Sequence, residues 1–412
     1  MNFRGLVVAS VLAGFVWAGF SSRAQDDLVE GHEAAAWGPY GADMEAFFSG
    51  DVDGEDAWKR EVTPSDENST PTVDNVCTRR LVGDHMCPEL FLLGMQKGGT
   101  TSLWMFLVTS QDLDIQRPLS TFKENAMPKE VHFFDKSYYY SKGPESYAEH
   151  FEVRGQESDL CLDATPGYAR YVQVPSLMAA TINVERSRFL VAVRDPVHRG
   201  YSWYTHILQR LINRERFNEA YQVFDYKFSL MAKYLPSFIN ACVDDFVQQP
   251  ELVFEGCWHI APYFRKMKGV LVEETGLPII YPFVVNSIFT DGLYGFMMLH
   301  WFRYFSPDKF CIIIYENFVA SFADELQHIA PCLNAHGREI SERDVARGLP
   351  MKNKINCATC KNFEKLEEEA LQAVGRDLNQ ELFTRSNDVF RDIMREHFNR
   401  TGIASWEDAY NH

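Results

Sequence analysis

Nine consecutive residues carry the most chemistry in this 412-residue chain: Gly94-Met95-Gln96-Lys97-Gly98-Gly99-Thr100-Thr101-Ser102. A glycine-rich turn between a strand and a helix aims backbone N–H groups at an anion, and the positive end of the helix dipole adds to the attraction. Lys97 supplies a point charge there, and Thr100, Thr101 and Ser102 supply hydroxyl donors. The nucleoside-triphosphatase signature places its lysine directly after the last glycine. Here Lys97 precedes Gly98-Gly99, which turns the loop away from that class. A purely structural glycine turn is the alternative reading of these residues.

Two further strings narrow the choice. Arg194-Asp195-Pro196 follows an apolar run, and Ser202 stands eight residues after Arg194. An arginine at a strand end can fork onto a phosphate, and Ser202 on the following helix can reach the same anion. The other reading has Asp195 as a helix cap and Arg194 in a surface ion pair. The third string is Lys129-Glu130-Val131-His132-Phe133-Phe134-Asp135. In an extended segment, residues two apart face the same way. Glu130 and His132 are therefore expected to point together, away from Val131 and Phe133. Transfer of a charged group to a hydroxyl needs a base at the acceptor and positive charge at the leaving group. Glu130 is the candidate base and His132 its partner, and no metal is required.

The elements that must position these residues are legible as apolar runs. Short buried strands are expected at residues 89–94, 159–163, 188–193 and 309–315. Helices are expected over 100–109, from Pro196 past Tyr204 toward Leu211, from the 309–315 strand through Ile329, and at 366–374 and 389–398. Continuous apolar strands suit a sheet covered on both faces. Strands alternating with helices predict an α/β fold of P-loop-like, three-layer form, with a central mainly parallel sheet flanked by helices.

With these strings in place, the chain resembles the sulfotransferases that use 3′-phosphoadenosine 5′-phosphosulfate (PAPS). The wording is most similar to Golgi carbohydrate enzymes: the heparan sulfate N- and 3-O-sulfotransferases and the N-acetylgalactosamine 4-sulfate 6-O-sulfotransferase. The resemblance runs from about Phe91 to Tyr204 and resumes from about Gly292 to Phe318. It implies a donor site of Lys97, Gly98, Gly99, Thr100, Thr101, Ser102, Arg194 and Ser202. In that scheme Lys97 touches the bridging oxygen of the leaving phosphate, and Arg194 and Ser202 hold the 3′-phosphate. It also implies Glu130 as catalytic base, assisted by His132, and a glycan or polysaccharide acceptor. At Asp163-Ala164 the heparan enzymes carry a lysine in place of Ala164; the Asp-Ala form is more similar to the chondroitin-type 6-O enzyme. A tyrosyl-protein or other luminal sulfotransferase, and a catalytically silent PAPS-binding module, remain open.

Bulk properties bound the rest. The net charge of −17 argues against a nucleic-acid binder. That charge is concentrated: residues 25–75 hold 14 acids and two bases, so this stretch is expected to be a flexible acidic stem. Arg4 followed by an apolar run over residues 5–20 reads as a cleaved signal peptide or a short signal anchor within residues 1–24, with membrane contact through the run. Either sends the chain to the lumen of the secretory pathway, the Golgi above all, as a secreted or type II membrane protein. The nine cysteines suit that oxidising compartment, with Cys77/Cys87 and Cys242/Cys257 as plausible local pairs. Cys357 and Cys360 read as structural. Asn68-Ser-Thr and Asn399-Arg-Thr are glycosylation acceptor triplets. The sulfotransferase-like domain is expected over 76–412, with an unaligned insertion at about 213–286.

Overall fold

In a computed structural model, the described residues are 77, 81–82, 85–122, 129–151, 160–213, 287–348, 368–400 and 406, with a few between 228 and 240. The chain divides into two units, Met1–Thr72 and Val73–His412, and every described residue belongs to the second. The leader, the acidic stem, Cys242/Cys257, Cys357/Cys360 and most of the insertion lie outside the described residues.

Among the described residues the strands are β1 (Leu81–Val82), β2 (His85–Met86), β3 (Leu90–Gly94), β4 (Ile115–Gln116), β5 (Leu160–Asp163), β6 (Arg188–Val193) and β7 (Phe310–Ile314). β1 and β2 form a small antiparallel pair. The other five form one sheet in the order β4-β5-β3-β6-β7, and every pair in it is parallel. The expected sheet is thus present, and all five positions of β3 and of β7 are buried. Fully burying side chains such as Leu90, Leu92, Ile312 and Ile313 contributes about 1.5–3 kcal/mol each relative to exposure.

The helices that follow the strands set the site. α1 (Thr100–Thr109) follows β3 and buries Leu103, Trp104, Phe106 and Leu107 against the sheet. Short helices α2 (Ser137–Tyr140) and α3 (Pro144–Ala148) lie between β4 and β5. α4 (Val174–Thr181) precedes β6, and α5 (Pro196–Asn213) follows it. Beyond α6 (Tyr294–Trp301), β7 leads into α7 (Tyr315–Ala320) and α8 (Phe322–Leu326). The single helix expected here through Ile329 is therefore two. Ser321, at φ −140° and ψ 67°, leaves helical geometry between them. After α9 (Ala330–Asn334) and α10 (Glu342–Arg347), the chain ends its described part in α11 (Glu368–Leu378) and α12 (Thr384–Phe398).

β3 pairs with β5 on one side and β6 on the other, so the chain's excursions from β3 run to both halves of the sheet. In parallel α/β sheets, ligands bind outside the strand carboxyl ends at such a reversal. The ends of β3, β5 and β6 deliver the loop at 94–100, Asp163 and Arg194 to that edge.

Candidate active site

The 94–100 loop is held from below by the neighbouring strand. Met95 N–H donates to Ala192 O at 2.8 Å, and Gly98 N–H donates to Met95 O at 2.9 Å. Gly98 has no room for a side chain: a Cβ there would fall 2.3 Å from Ala192 O. Lys97 and Gly99 take left-handed backbone, with φ 70° and 95°, which folds the turn back onto the start of α1. No side chain caps α1 at Gly99. The N–H groups of a helix's first turn have no intrahelical partners, which suits this end of α1 to an anion. Thr100 and Ser102 are buried and Thr101 is half-buried.

Lys97 is held down to about 8, mainly by burial and then by the charge of Arg194. Two cations close enough to disfavour one another, with no ion pair to either among the described residues, make a place suited to an anion. Arg194 leaves β6 with its guanidinium 4.8 Å from the centre of the Tyr315 ring, and its carbonyl accepts from Tyr294 Oη–H at 2.6 Å. Asp195 caps α5: its Oδ1 accepts from His198 N–H at 2.7 Å. Ser202 sits half-buried on α5, two turns on from that cap.

The Glu130 string is not the extended segment expected. His132 has φ 62°, and the backbone bonds to side chains instead of a strand. His132 N–H donates to Thr165 Oγ1 at 3.3 Å, and Phe133 N–H donates to Tyr168 Oη at 3.0 Å. Ala164 N–H donates to Lys129 O at 3.2 Å, which docks the turn on the end of β5. Glu130 and His132 nonetheless come together, with His132 Nε2 3.4 Å from Glu130 Oε2. Val131 and Phe133 are buried.

Three partners went unassigned in the sequence. His132 Nδ1 lies 2.8 Å from Asp135 Oδ2. The buried Lys129 Nζ donates to Glu130 Oε1 at 3.0 Å. Behind them, Asp163 at the end of β5 accepts from Tyr147, Thr165 and Tyr168 hydroxyls at 2.7–2.9 Å. The electrostatics follow. Burial opposes ionisation of Glu130, but Lys129 and His132 hold it down to about 2. Burial also opposes charge on His132, but Asp135 and then Glu130 raise it well above its ordinary range. Burial pushes Asp163 up to about 6. The i, i+3 spacing of His132 and Asp135 was the one sequence signal for this relay.

A buried network ties the two sides of the site. Arg170 Nη1 donates to Gln96 Oε1 at 3.3 Å and pairs with Asp291 Oδ2 at 3.2 Å. The fully buried Arg199 of α5 approaches the same Asp291 oxygen at 3.8 Å. Arg170, which reaches the 94–100 loop, and Arg199 of α5 thus share one carboxylate. Among the described residues no cluster of histidine, cysteine and carboxylate could hold a metal ion.

A parallel sheet with a strand–glycine loop–helix cradle at its carboxyl edge makes this a P-loop-like α/β protein. The curated proteins to which it is similar are sulfotransferases, as the motif strings predicted. It is 33% identical over 121 residues to the bifunctional heparan sulfate N-deacetylase/N-sulfotransferase 1 of Homo sapiens, which covers 29% of this chain and 13% of the relative. It is 31% identical over 128 residues to the heparan sulfate glucosamine 3-O-sulfotransferase 3A1 of Mus musculus, covering 31% of this chain and 28% of the relative. The chain thus spans less than a third of the length of these relatives. No family model matches the chain. Among solved structures, a sulfotransferase from Alicyclobacillus acidocaldarius aligns with 78% of this chain and 98% of its own, at 17% identity and a TM-score of 0.43.

Proposed function

We propose that this chain is a PAPS-dependent carbohydrate sulfotransferase. The observation that carries the reading is one sheet edge presenting both an anion cradle and an acid–base relay. Lys97 and Arg194 stand on the cradle side, and Glu130, His132 and Asp135 stand on the other. The residues fit the donor. The N–H groups of the 97–102 turn and Lys97 take the 5′-phosphosulfate, while Arg194 and Ser202 take the 3′-phosphate.

Glu130 removes the proton from the acceptor hydroxyl or amine as its oxygen or nitrogen bonds to sulfur. The bond from sulfur to the bridging phosphate oxygen breaks in the same displacement. Lys97 and the α1 N–H groups stabilise the negative charge that develops on that oxygen. His132, cationic between Asp135 and Glu130, fixes the direction of the Glu130 carboxylate. Direct transfer needs no covalent intermediate on the protein and no metal.

A glycan acceptor is supported by the heparan sulfate enzymes among the relatives. A luminal, Golgi-type setting is supported by the apolar run at 5–20 and by two disulfides, Cys77–Cys87 and Cys311–Cys332. Among the described residues no helix is long and apolar enough to cross a membrane. The test is transfer from radiolabelled PAPS to a panel of polysaccharides, tyrosine-bearing acidic peptides and small phenols. Labelled polysaccharide is the expected product. Label only in peptide would replace the glycan with a protein acceptor. Tight nucleotide binding with no transfer to any acceptor would make the chain a silent binding module.

A further inference from the structure

We propose that Tyr315 is the positioning residue that aims Arg194 at the 3′-phosphate, so that the site distinguishes 3′,5′-bisphosphorylated nucleotides from 5′-monophosphates. The inference rests on the donor-site reading above and adds a residue to it.

The strand register brings the pair together. β6 and β7 run parallel, with Val193 opposite Ile314 as their last partners. Arg194 and Tyr315 are the first residues after each strand, so they emerge side by side at the carboxyl edge. There the guanidinium lies 4.8 Å from the ring centre. The same ring packs against the 5′ cradle: a Cβ on Gly99 would fall 2.6 Å from Tyr315 Cδ2. One aromatic plane therefore touches both the turn that holds the 5′ end and the cation assigned to the 3′ end, and it fixes their spacing.

The ring is itself anchored. Glu316 Oε1 accepts from Asp195 N–H at 2.9 Å, which locks the residue after Tyr315 to the residue after Arg194. Tyr294 Oη–H holds the Arg194 carbonyl. Among the described residues no ion pair holds Arg194; the Glu316 carboxylate acts on it through charge alone, and the ring is the group its side chain packs on. A guanidinium stacked on a ring keeps its N–H edge free for bidentate phosphate binding, and it loses less rotamer freedom when the phosphate arrives.

The experiment is calorimetric titration of the full chain with adenosine 3′,5′-bisphosphate and, separately, with 5′-AMP. Tyr315→Phe keeps the ring face and should bind both as the parent does. Tyr315→Leu keeps bulk but removes the face. It should bind the bisphosphate about five- to tenfold more weakly, the scale of a stacked cation, with a clearly smaller loss for 5′-AMP. Retained 5′-AMP binding shows that the fold and the 5′ cradle survive. Equal loss for both nucleotides, or no loss for either, would overturn the proposal. Arg194→Ala separates the two assignments. If it loses bisphosphate discrimination and Tyr315→Leu does not, the proposal fails alone. If it does not lose discrimination, the assignment of Arg194 fails and the proposal falls with it.

Discussion

His132 Nδ1 lies 2.8 Å from Asp135 Oδ2, on the side of the ring away from Glu130. The buried carboxylate of Asp135 is the largest influence favouring charge on His132. Asp135→Asn keeps the shape and removes that charge. The His132 titration followed by NMR should then fall toward the ordinary value of about 6.5. Turnover at saturating donor should drop on the order of 10²-fold, at the low end for a positioned acid–base group. A group whose folded pKa is raised stabilises the fold fully below its unfolded value and loses that contribution as pH rises through the folded value. Asp135→Asn should therefore flatten the fall of stability on the alkaline side of about pH 6.5, read from melting temperature against pH.

Glu130→Gln should retain nucleotide affinity and lose about 10²–10⁴-fold in turnover, the range for a lost general base. Full activity in this variant would remove Glu130 from the mechanism. The carboxylate is held down to about 2, so it stays ionised at every pH where the enzyme is assayed. A depressed carboxylate stabilises the fold above its unfolded pKa, and that contribution disappears as pH falls through the folded one. The variant should lose the corresponding share of acid unfolding between 4.5 and about 2, followed by circular dichroism.

The sheet was legible because its strands are buried on both faces. β6 runs over the expected residues 188–193, and β3, β5 and β7 each begin one residue inside the expected run. β4 was not legible, since Ile115–Gln116 is too short to show a period. The cradle glycines and the pairing of Glu130 with His132 were also readable from residue types and spacing. The route that pairs them was not. A left-handed His132 donates its N–H to Thr165, and the next residue, Phe133, donates to Tyr168, each more than thirty positions away. Arg170 and Asp291 are likewise joined across 121 positions. Such contacts come from strand order, which local pattern does not encode. The Cys77–Cys87 pair was a local expectation that the fold contains, whereas Cys311–Cys332 depends on α9 returning to β7.

Gly98→Ala tests the cradle through its backbone. The added methyl would meet Ala192 O at 2.3 Å and Met95 O at 3.0 Å, and both are backbone atoms. Relief requires the 94–100 turn to lift off β6, because these atoms cannot rotate away. Bisphosphate nucleotide should then no longer raise the melting temperature, and the unliganded protein should melt lower by about 1–3 kcal/mol of stability, the usual cost of overpacking. An undiminished ligand-induced rise would show that the turn tolerates a side chain and that Gly98 is not part of the cradle's shape.

Lys97 predicts how nucleotide binding responds to pH. Burial, followed by Arg194, holds its ammonium down to about 8 in the empty site. An incoming phosphate group favours the charged lysine, so the nucleotide complex must have a higher Lys97 pKa than the free protein. Affinity should therefore be flat well below pH 8. It should weaken progressively above that value, until the pKa of the complex is passed. Near pH 8, binding should also draw a fraction of a proton from the buffer. Titration calorimetry of adenosine 3′,5′-bisphosphate in two buffers of different ionisation enthalpy measures that uptake directly. Lys97→Met should abolish the uptake and bind more weakly at neutral pH. Lys97→Arg should keep the charge but lose the uptake, since a guanidinium does not titrate in this range. Proton uptake that persists in Lys97→Met would assign the titration to another group, and the leaving-group role of Lys97 would lose its electrostatic basis.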